Sequence, residues 1–420
     1  MLSVKNSGGA SVYPKTLTVT GIKTSYTAGQ TVDLTGLKAT VMYSDDSSED
    51  VSDAVTASPA SGTMIYEDTT KITFSWNWPD DETVVLTSDV AVTVTRVLSS
   101  ISVSAPTKTI YYKGDALDLS GAVVTATFNS GRTEVVTSSA TFSPENGSTL
   151  SSFGAQTVTA SYTENGVTKT ATTSVTVTFK TVTWASGTDT EIANMVEAAD
   201  AGIISLSDYW TVGDTRTVSL SAQSYSVSGL AIGTGISKQS VDLVLMNVGG
   251  KTLTNGKTCS FIVGTKNSLV NSVTTNYNDS NDGFDLNSNH TNSGGWAKCP
   301  RRTWLNYVIP KALPTTLSGI FKQFTNTNNS GGNTTDYFAL PSEWEVFGGD
   351  HYSGESSGTQ FTWYKTSSNR VKTYGGSSCY WWGRSVYSGS SYGFCAVDSD
   401  GSAYHNSADN GYGLSFFGCI

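Results

Sequence analysis

The chain has 420 residues, which is enough for two to four domains, and only 14 % of them are charged. Its 25 Lys and Arg against 35 Asp and Glu give a formal net charge of −10, which argues against nucleic-acid binding, because such proteins carry a basic footprint. No apolar run is long enough to span a bilayer, so we expect no membrane insertion. Residues 1–14 lack an apolar core and are expected to be a flexible N-terminus without a signal peptide.

The first 180 residues contain an internal repeat. Residues 26–36 (YTAGQTVDLTG) match residues 111–121 (YYKGDALDLSG), and Gly114 stands 85 positions after Gly29. Short alternating apolar and polar runs separated by turn clusters predict two all-β sandwiches, residues 15–96 and 97–180. The repeat resembles bacterial immunoglobulin-like domains. That resemblance implies spacers without chemistry, with carbohydrate binding as the alternative.

Residues 181–420 have a different pattern, with helices first and strands later. Residues 188–191 have capping-box spacing and open a helix that Gly202 ends. A second helix is expected over residues 301–309, ended by Pro310, and a third over residues 314–324. Residues 338–347 are expected to hold a strand end and a capped turn of helix at Ser342. Together these elements predict a multidomain chain that ends in an α+β domain.

Five cysteines lie in the C-terminal half: Cys259, Cys299, Cys379, Cys395 and Cys419. Their odd number argues against a complete disulfide framework. Without a Cys-x-x-Cys pair, and with only His290, His351 and His405 as histidines, a zinc site is not expected. We expect mostly free, buried thiols, with a Cys395–Cys419 bridge if the protein meets an oxidising environment.

Two acidic clusters are candidates for a calcium site or a catalytic carboxylate pair. Asp279, Asp282 and Asp285 lie in a polar stretch whose spacing does not match an EF-hand loop, so a solvated insertion is favoured over calcium binding. Asp398 and Asp400 precede Gly401 between two alternating runs, which favours a hairpin turn over a catalytic carboxylate pair. No pair of carboxylates can be nominated for glycoside hydrolysis. We therefore predict no metal and no cofactor.

The last forty or so residues are rich in Tyr, Ser, Gly, Asn and Asp and nearly free of charge, a mixture that antibody loops also use. From residue 205 to the C-terminal residue, several motifs occur in one order: residues 208–216 (DYWTVGDTR), 294–296 (GGW), 301–306 (RRTWLN), 338–348 (FALPSEWEVFG), 381–385 (WWGRS) and 418–420 (GCI). As a set they resemble the C-type-lectin-like variable proteins of diversity-generating retroelements in gut bacteria and their phages. The resemblance implies a C-type-lectin-like domain over residues 181–420.

It also implies a variable region at about residues 377–416, rewritten by error-prone reverse transcription at template adenines. The resemblance divides this region and the chain terminus into two sets of residues. The scaffold set is Trp381, Trp382, Arg384, Phe394, Cys395, Gly401, Gly413 and Cys419. The candidate variable, ligand-binding set is Tyr380, Val386, Tyr387, Ser390, Ser391, Tyr392, Ala396, Tyr404, His405, Ser407, Ser415 and Phe416.

The expected function is therefore non-enzymatic ligand or receptor binding. The partner would be a host-cell surface protein or a glycan, and the chain would form a homo-oligomer or attach to a phage tail or cell-surface structure. The expected location is a virion or the extracellular, bacterial cell surface. Two alternatives stay open: a fixed-specificity carbohydrate-binding adhesin, and an oxidase of the formylglycine-generating type, which needs a pair of reactive cysteines.

Overall fold

A computed structural model describes residues 4–5, 11–225, 235–269, 291–408 and 410–420. The chain divides into two compact units, Met1–Thr178 and Phe179–Ile420. Asp279, Asp282, Asp285 and His290 lie outside the described residues.

The first half of the first unit is a β-sandwich. Its sheets have the orders β3-β5-β6 and β7-β8-β9, and β10 runs parallel to β4. A small antiparallel pair, β1 (Val4–Lys5) and β2 (Ser11–Val12), precedes it, and Pro14 already begins β3, so residue 14 is not part of a flexible end. The strands are β3 (Pro14–Thr20), β4 (Ser25–Thr27), β5 (Lys38–Tyr43), β6 (Ser48–Asp50), β7 (Thr56–Ser58), β8 (Lys71–Trp78), β9 (Asp81–Ala91) and β10 (Thr93–Thr95).

The second half repeats this architecture with sheet orders β11-β13-β14 and β12-β17-β16-β15. Alternation of buried and exposed residues, as in β13, places one face of each sheet in the core. The strands are β11 (Leu98–Val103), β12 (Ile110–Tyr112), β13 (Val124–Phe128), β14 (Thr133–Val135), β15 (Thr141–Ser143), β16 (Gly154–Glu164) and β17 (Val167–Thr178).

The internal repeat is visible in single hydrogen bonds. The Tyr26 hydroxyl lies 3.3 Å from both the backbone N and O of Asp33. Its counterpart Tyr111 makes the same pair of contacts with Asp118, at 3.1 and 2.8 Å. Both rings are buried, so each phenol ties its strand to the following loop from inside the core. The sequence repeat therefore preserves a buried polar contact as well as the apolar pattern.

Asn129 connects the two sandwiches of this unit. Its side-chain nitrogen donates to Ala28 O at 2.6 Å, and its side-chain oxygen accepts from Val97 N at 3.0 Å. Arg132 adds ion pairs to Glu67 and Asp68 at 3.6 and 3.4 Å. The junction between the sandwiches is thus held by side chains as well as by the continuous backbone.

The second unit is built on a five-stranded sheet of order β18-β19-β20-β29-β23, with a separate three-stranded sheet β26-β27-β28. Its helices are α1 (Asp189–Asp200), α2 (Gly295–Lys298), α3 (Pro300–Ala312), α4 (Thr315–Ser318) and α5 (Glu343–Phe347). Its strands are β18 (Thr215–Leu220), β19 (Gln239–Val248), β20 (Phe261–Thr265), β21 (Phe324–Asn326), β22 (Thr334–Asp336), β23 (Phe338–Ala339), β24 (Lys372–Tyr374), β25 (Ser377–Cys379), β26 (Trp381–Val386), β27 (Gly393–Val397), β28 (Ala403–Ser407) and β29 (Phe417–Cys419).

Both predicted caps are confirmed, because a cap depends on local sequence. The Thr188 side chain accepts from Glu191 N while the Glu191 carboxylate accepts from Thr188 N, and Ser342 and Glu345 form the same box at α5. Gly348 then ends α5 with a positive φ of 74°.

Two predicted helix boundaries are wrong. Pro310 lies inside α3, which continues to Ala312, because Ile309, Ala312 and Leu313 are buried in the core and offset the hydrogen bond that a proline removes. The third helix is only the four residues of α4. After it, Phe324 pairs as part of β21, and Lys322 forms a bridge with Cys419, so tertiary strand pairing overrides the helical periodicity.

One hydrophobic core holds this unit together. Its largest buried side chains are tryptophans from every part of the unit: Trp184, Trp210, Trp296, Trp304, Trp381 and Trp382. Within the described ranges, none of the helices is long and apolar enough to cross a membrane.

Candidate functional site

The three-stranded sheet β26-β27-β28 carries most of the candidate ligand residues. β26 pairs antiparallel with β27, and β27 with β28, where Ala396 faces Tyr404 and Cys395 faces His405. β28 is the outer strand of this sheet and its five residues are all half-buried, whereas β26 and β27 are buried throughout. The side chains available to a ligand therefore come from β28 and from the loops beside it.

Six half-buried rings form a continuous cluster, which we call the aromatic patch: Tyr352, Tyr380, Tyr387, Tyr404, His405 and Tyr412. His405 is its centre. Tyr387 stacks on it at a centroid distance of 3.8 Å, and Tyr352 meets it edge-on at 4.6 Å.

The cluster extends from Tyr404 toward the core. Tyr380 lies 5.3 Å from Tyr404 and stacks on Tyr412 at 5.0 Å, and Tyr412 packs on the buried Trp382 at 4.7 Å. The rings are thus held by their neighbours, which reduces the freedom lost when they contact a ligand.

Tyr352 was not expected from the sequence, because it lies outside the terminal stretch. A loop brings it to the patch, and the buried carboxylate of Glu343 accepts the backbone N–H groups of His351, Tyr352 and Ser353 at 2.9–3.0 Å. Ser388 then donates to Tyr352 O at 2.8 Å through its hydroxyl. The only signal available was composition, since the loop has the same Tyr, Ser and Gly content as the terminal stretch.

A second unexpected residue, Asn292, shapes the loop next to the patch. Its side-chain nitrogen donates to Ser390 O and Gly393 O, both at 2.8 Å. The loop between β26 and β27 therefore has a defined conformation. Tyr392 projects from it with 53 % of its surface exposed, and Ser391 is also exposed.

Two phenols of the patch have raised pKa values. Hydrogen bonding to Asp398, followed by burial, raises the pKa of Tyr380, and burial raises the pKa of Tyr412. Both phenols therefore stay protonated at neutral pH and can donate as well as accept hydrogen bonds.

Four candidate ligand residues are corrected by their burial. Ala396 is 2 % exposed because β27 is the central strand, and Val386 is 9 % exposed with both its backbone N and O bonded to Asn329. Ser415 and Phe416 are fully buried. They lead into β29, which is inserted between β20 and β23, so both faces of the terminal segment are covered.

All eight residues of the scaffold set are buried. Arg384 has the most contacts among them: its guanidinium pairs with Glu345 and donates to Leu340 O at 2.9 Å. Burial opposes the charge of Glu345, yet Arg384 and Lys251 together lower its pKa to about 2. This buried network joins β26 to α5 and to the start of the loop that carries Tyr352.

Gly383 lies in β26 close to the carbonyl groups of two other segments. A Cβ at this position would lie 3.1 Å from Pro341 O and 3.2 Å from Cys395 O. The pairing of β26 with β27 is also irregular between Trp382 and Val386. Because these two backbone oxygens lie so close, the position favours a residue without a side chain.

The predicted hairpin turn at residues 398–401 is confirmed. Asp398 N donates to Ser402 O at 2.9 Å, Gly401 N donates to Asp398 O at 2.9 Å, and Gly401 has a φ of +87°. The Asp400 carboxylate accepts from Ser402 N at 2.9 Å. Asp398 and Asp400 therefore stabilise the turn through hydrogen bonds.

All five cysteines are free and buried, and the Cys395–Cys419 bridge is not formed. Cys419 instead hydrogen-bonds Cys259, which lowers the pKa of Cys259, while burial raises the pKa of Cys419. Burial also raises the pKa of Cys379 and Cys395. The thiols of Cys379, Cys395 and Cys419 are therefore poor nucleophiles.

Among the residues that the structure describes, no three His, Cys, Asp or Glu side chains are grouped so as to hold a metal ion. The described donor atoms of the patch are phenols, an imidazole and hydroxyls. Such a set binds through stacking and neutral hydrogen bonds.

Comparison with known proteins identifies part of the first unit. Residues 104–177 match a family described as "Bacterial Ig-like domain (group 3)", so the second sandwich is a bacterial immunoglobulin-like domain. Residues 269–415 match a family described as "Domain of unknown function (DUF6273)". No curated protein matches the chain.

Among solved structures, the chain is similar to surface-layer proteins. It is 15 % identical to "surface layer protein SbsC, domains 1-6", with 64 % of this chain and 48 % of that chain covered and a TM-score of 0.19. It is also 15 % identical to domains 4-9 of the same protein, with 63 % of this chain and 42 % of that chain covered and a TM-score of 0.16. The chain thus spans less than half the length of these structures, and TM-scores of this size carry no argument about its fold or role.

Proposed function

We propose that the chain is a non-enzymatic binding protein of the bacterial surface. In this proposal the immunoglobulin-like repeat is a spacer, and residues 179–420 form a C-type-lectin-like domain that contacts its ligand through the aromatic patch. The observation that carries the proposal is the patch itself: six rings with few side-chain torsions, half-exposed together and held by a buried frame. Such rings give contact area at low entropic cost.

The cysteine surroundings favour binding over an oxidase activity. The thiols of Cys379 and Cys395 have raised pKa values and different neighbours, with Lys372 and Ser268 near Cys379 and three carboxylates near Cys395. An oxidase would need thiols that ionise readily and act together.

We further propose that a retroelement diversifies the exposed residues of this terminal region. Tyr387, Tyr392 and His405 can change without altering the core, because each is exposed or half-buried, whereas Tyr404 packs partly against the core. The buried Val386, Ala396, Ser415 and Phe416 are removed from the variable set. What remains is a smaller display surface, to which we add Tyr352 as a constant neighbour.

Binding is tested with the purified full chain on a glycan array and on intact host cells. We expect a defined set of bound targets, and we expect the double variant Tyr387→Ser/Tyr404→Ser to lose them. A matched double variant of exposed residues in the first unit, Tyr13→Ser/Tyr112→Ser, keeps them. Equal loss in both double variants would contradict the assignment of the site.

Diversification is tested by sequencing this locus in many related isolates. Substitutions should concentrate at positions 380, 387, 390–392, 404, 405 and 407 and spare positions 381, 382 and 384. A reverse-transcriptase gene and an imperfect repeat of the terminal codons should lie nearby. Constant residues at the exposed positions would instead indicate a fixed-specificity carbohydrate adhesin.

A further inference from the structure

The segment that follows Tyr352 lines a cavity separate from the aromatic patch. The cavity has a volume of about 520 Å³, which is within the usual size of small-molecule sites. Its exposed side is formed by residues 354–359, and its buried side by Lys251, Glu345 and Arg384. Hydroxyl and amide side chains occupy most of the remaining wall: Thr252, Thr325, Thr327, Asn328 and Asn329.

Two of the buried charges are saturated by protein contacts. The five N–H groups of Arg384 go to Asn328, Leu340 O, Thr327 O and both oxygens of Glu345. Glu345 accepts from Arg384 twice, from Lys251 and from Ser342 N at 2.8 Å. These two side chains build the wall and leave no polar atom for a ligand.

Lys251 retains a donor. Its ammonium donates to Asn326 Oδ1 at 2.9 Å and to Glu345, and its third N–H has no acceptor among the residues the structure describes. The side chain is only 10 % exposed and lines the cavity. A buried ammonium of this kind gains from an acceptor that a bound molecule supplies.

Glu355 retains acceptor capacity on the exposed side. One of its oxygens accepts from Ser385 Oγ at 2.7 Å and the other from Trp344 N at 3.2 Å, which uses two of about four lone-pair positions. The four charged side chains of the wall, Lys251, Arg384, Glu345 and Glu355, sum to zero. The wall therefore offers neither an anion nor a cation a net electrostatic attraction.

We propose that this cavity binds a neutral sugar unit through its hydroxyl groups. A hydroxyl both accepts and donates, so one ligand can accept from Lys251 and donate to Glu355 and to the amide oxygens of the wall. This site does not depend on the aromatic patch, and it gives the chain a second binding function.

The test uses calorimetric titration of the full 420-residue chain. The neutral probes are glucose, galactose, mannose and N-acetylglucosamine, and the charged probes are glucuronate and glucosamine. Ser356→Trp places a ring at the exposed rim without removing a buried contact, and Glu355→Gln removes the acceptor charge. Ser207→Trp, at an exposed serine outside the cavity, is the matched control.

We expect at least one neutral probe to bind, and the affinity to fall at least about tenfold in Ser356→Trp and Glu355→Gln. The Ser207→Trp and Tyr392→Ser variants should bind as the unaltered chain does, which separates this site from the patch. The proposal is overturned if no neutral probe binds, if binding survives Ser356→Trp, or if a charged probe binds as tightly as the neutral ones.

Discussion

Neighbouring aromatic residues in the terminal region have very different surroundings. Trp382 is fully buried in β26 beneath Tyr412, while Tyr392 is 53 % exposed on the adjacent loop. Side-chain size therefore does not decide the role of a residue here. What decides it is whether the residue lies on a buried strand or at a loop tip.

Trp382→Ala should lower the free energy of unfolding by about 3–5 kcal/mol, because it opens a cavity in the core. Tyr392→Ser should change it by less than about 1 kcal/mol, because few contacts are lost. Denaturant unfolding of the full chain measures both. A large loss in Tyr392→Ser would show that the loop tip is part of the core.

Lys372 is an unusual buried cation. It is fully buried, donates to Thr265 O and Lys266 O at 3.0 Å, and lies 5.1 Å from the Tyr364 ring and 5.5 Å from the Trp381 ring. Burial lowers its pKa to about 7. The charged form of Lys372 therefore destabilises the folded state, and the folded chain releases this proton near neutral pH.

This predicts a pH dependence of stability. Between pH 7 and the unfolded pKa of about 10.4, the unfolded chain binds more protons than the folded chain, so the free energy of unfolding rises with pH. From pH 7 to pH 9.5 the contribution of Lys372 should be about 3 kcal/mol. Lys372→Met should lack this rise, and unfolding curves of the two chains at both pH values measure the difference. Parallel pH profiles would refute the assignment.

At the scale of an element, the loop that carries Tyr352 depends on one carboxylate. Glu343 is 3 % exposed and accepts three consecutive backbone N–H groups. Hydrogen bonds to a charged acceptor are worth more than neutral ones, and no other described contact holds all three amides.

Glu343→Gln should therefore cost about 2 kcal/mol of stability and loosen the loop. Hydrogen exchange at His351, Tyr352 and Ser353 should accelerate. Glu82→Gln, at an exposed residue of β9, is the control and should change neither quantity. Unchanged exchange at these amides would mean that the loop is held by its other contacts.

At the scale of the molecule, each unit has its own hydrophobic core. Trp76 lies in the core of the first sandwich and Trp382 in the core of the second unit. Cores that share no residue can unfold separately.

Scanning calorimetry should show at least two transitions. Trp76→Ala should lower one of them and Trp382→Ala another, each leaving the other within about 2 °C. A single transition that both variants lower equally would show that the chain unfolds as one cooperative body.

The sequence by itself determined the features that depend on neighbours along the chain. The capping boxes at Thr188 and Ser342 and the turn that ends at Gly401 were predicted because their partners lie within a few residues. The two β-sandwiches were predicted because their alternating strands recur along the chain.

Only the tertiary structure decided the rest. Pro310 remains in a helix and Phe324 in a strand because distant core contacts outweigh local preference. Phe416 is buried because β29 enters the middle of a sheet whose other strands come from residues 215–339. Tyr352 reaches the patch because the Glu343 carboxylate and Ser388 both bind the backbone of its loop. Contacts between residues far apart in sequence determine which side chains of the terminal stretch are exposed. Amino-acid composition alone does not predict these contacts.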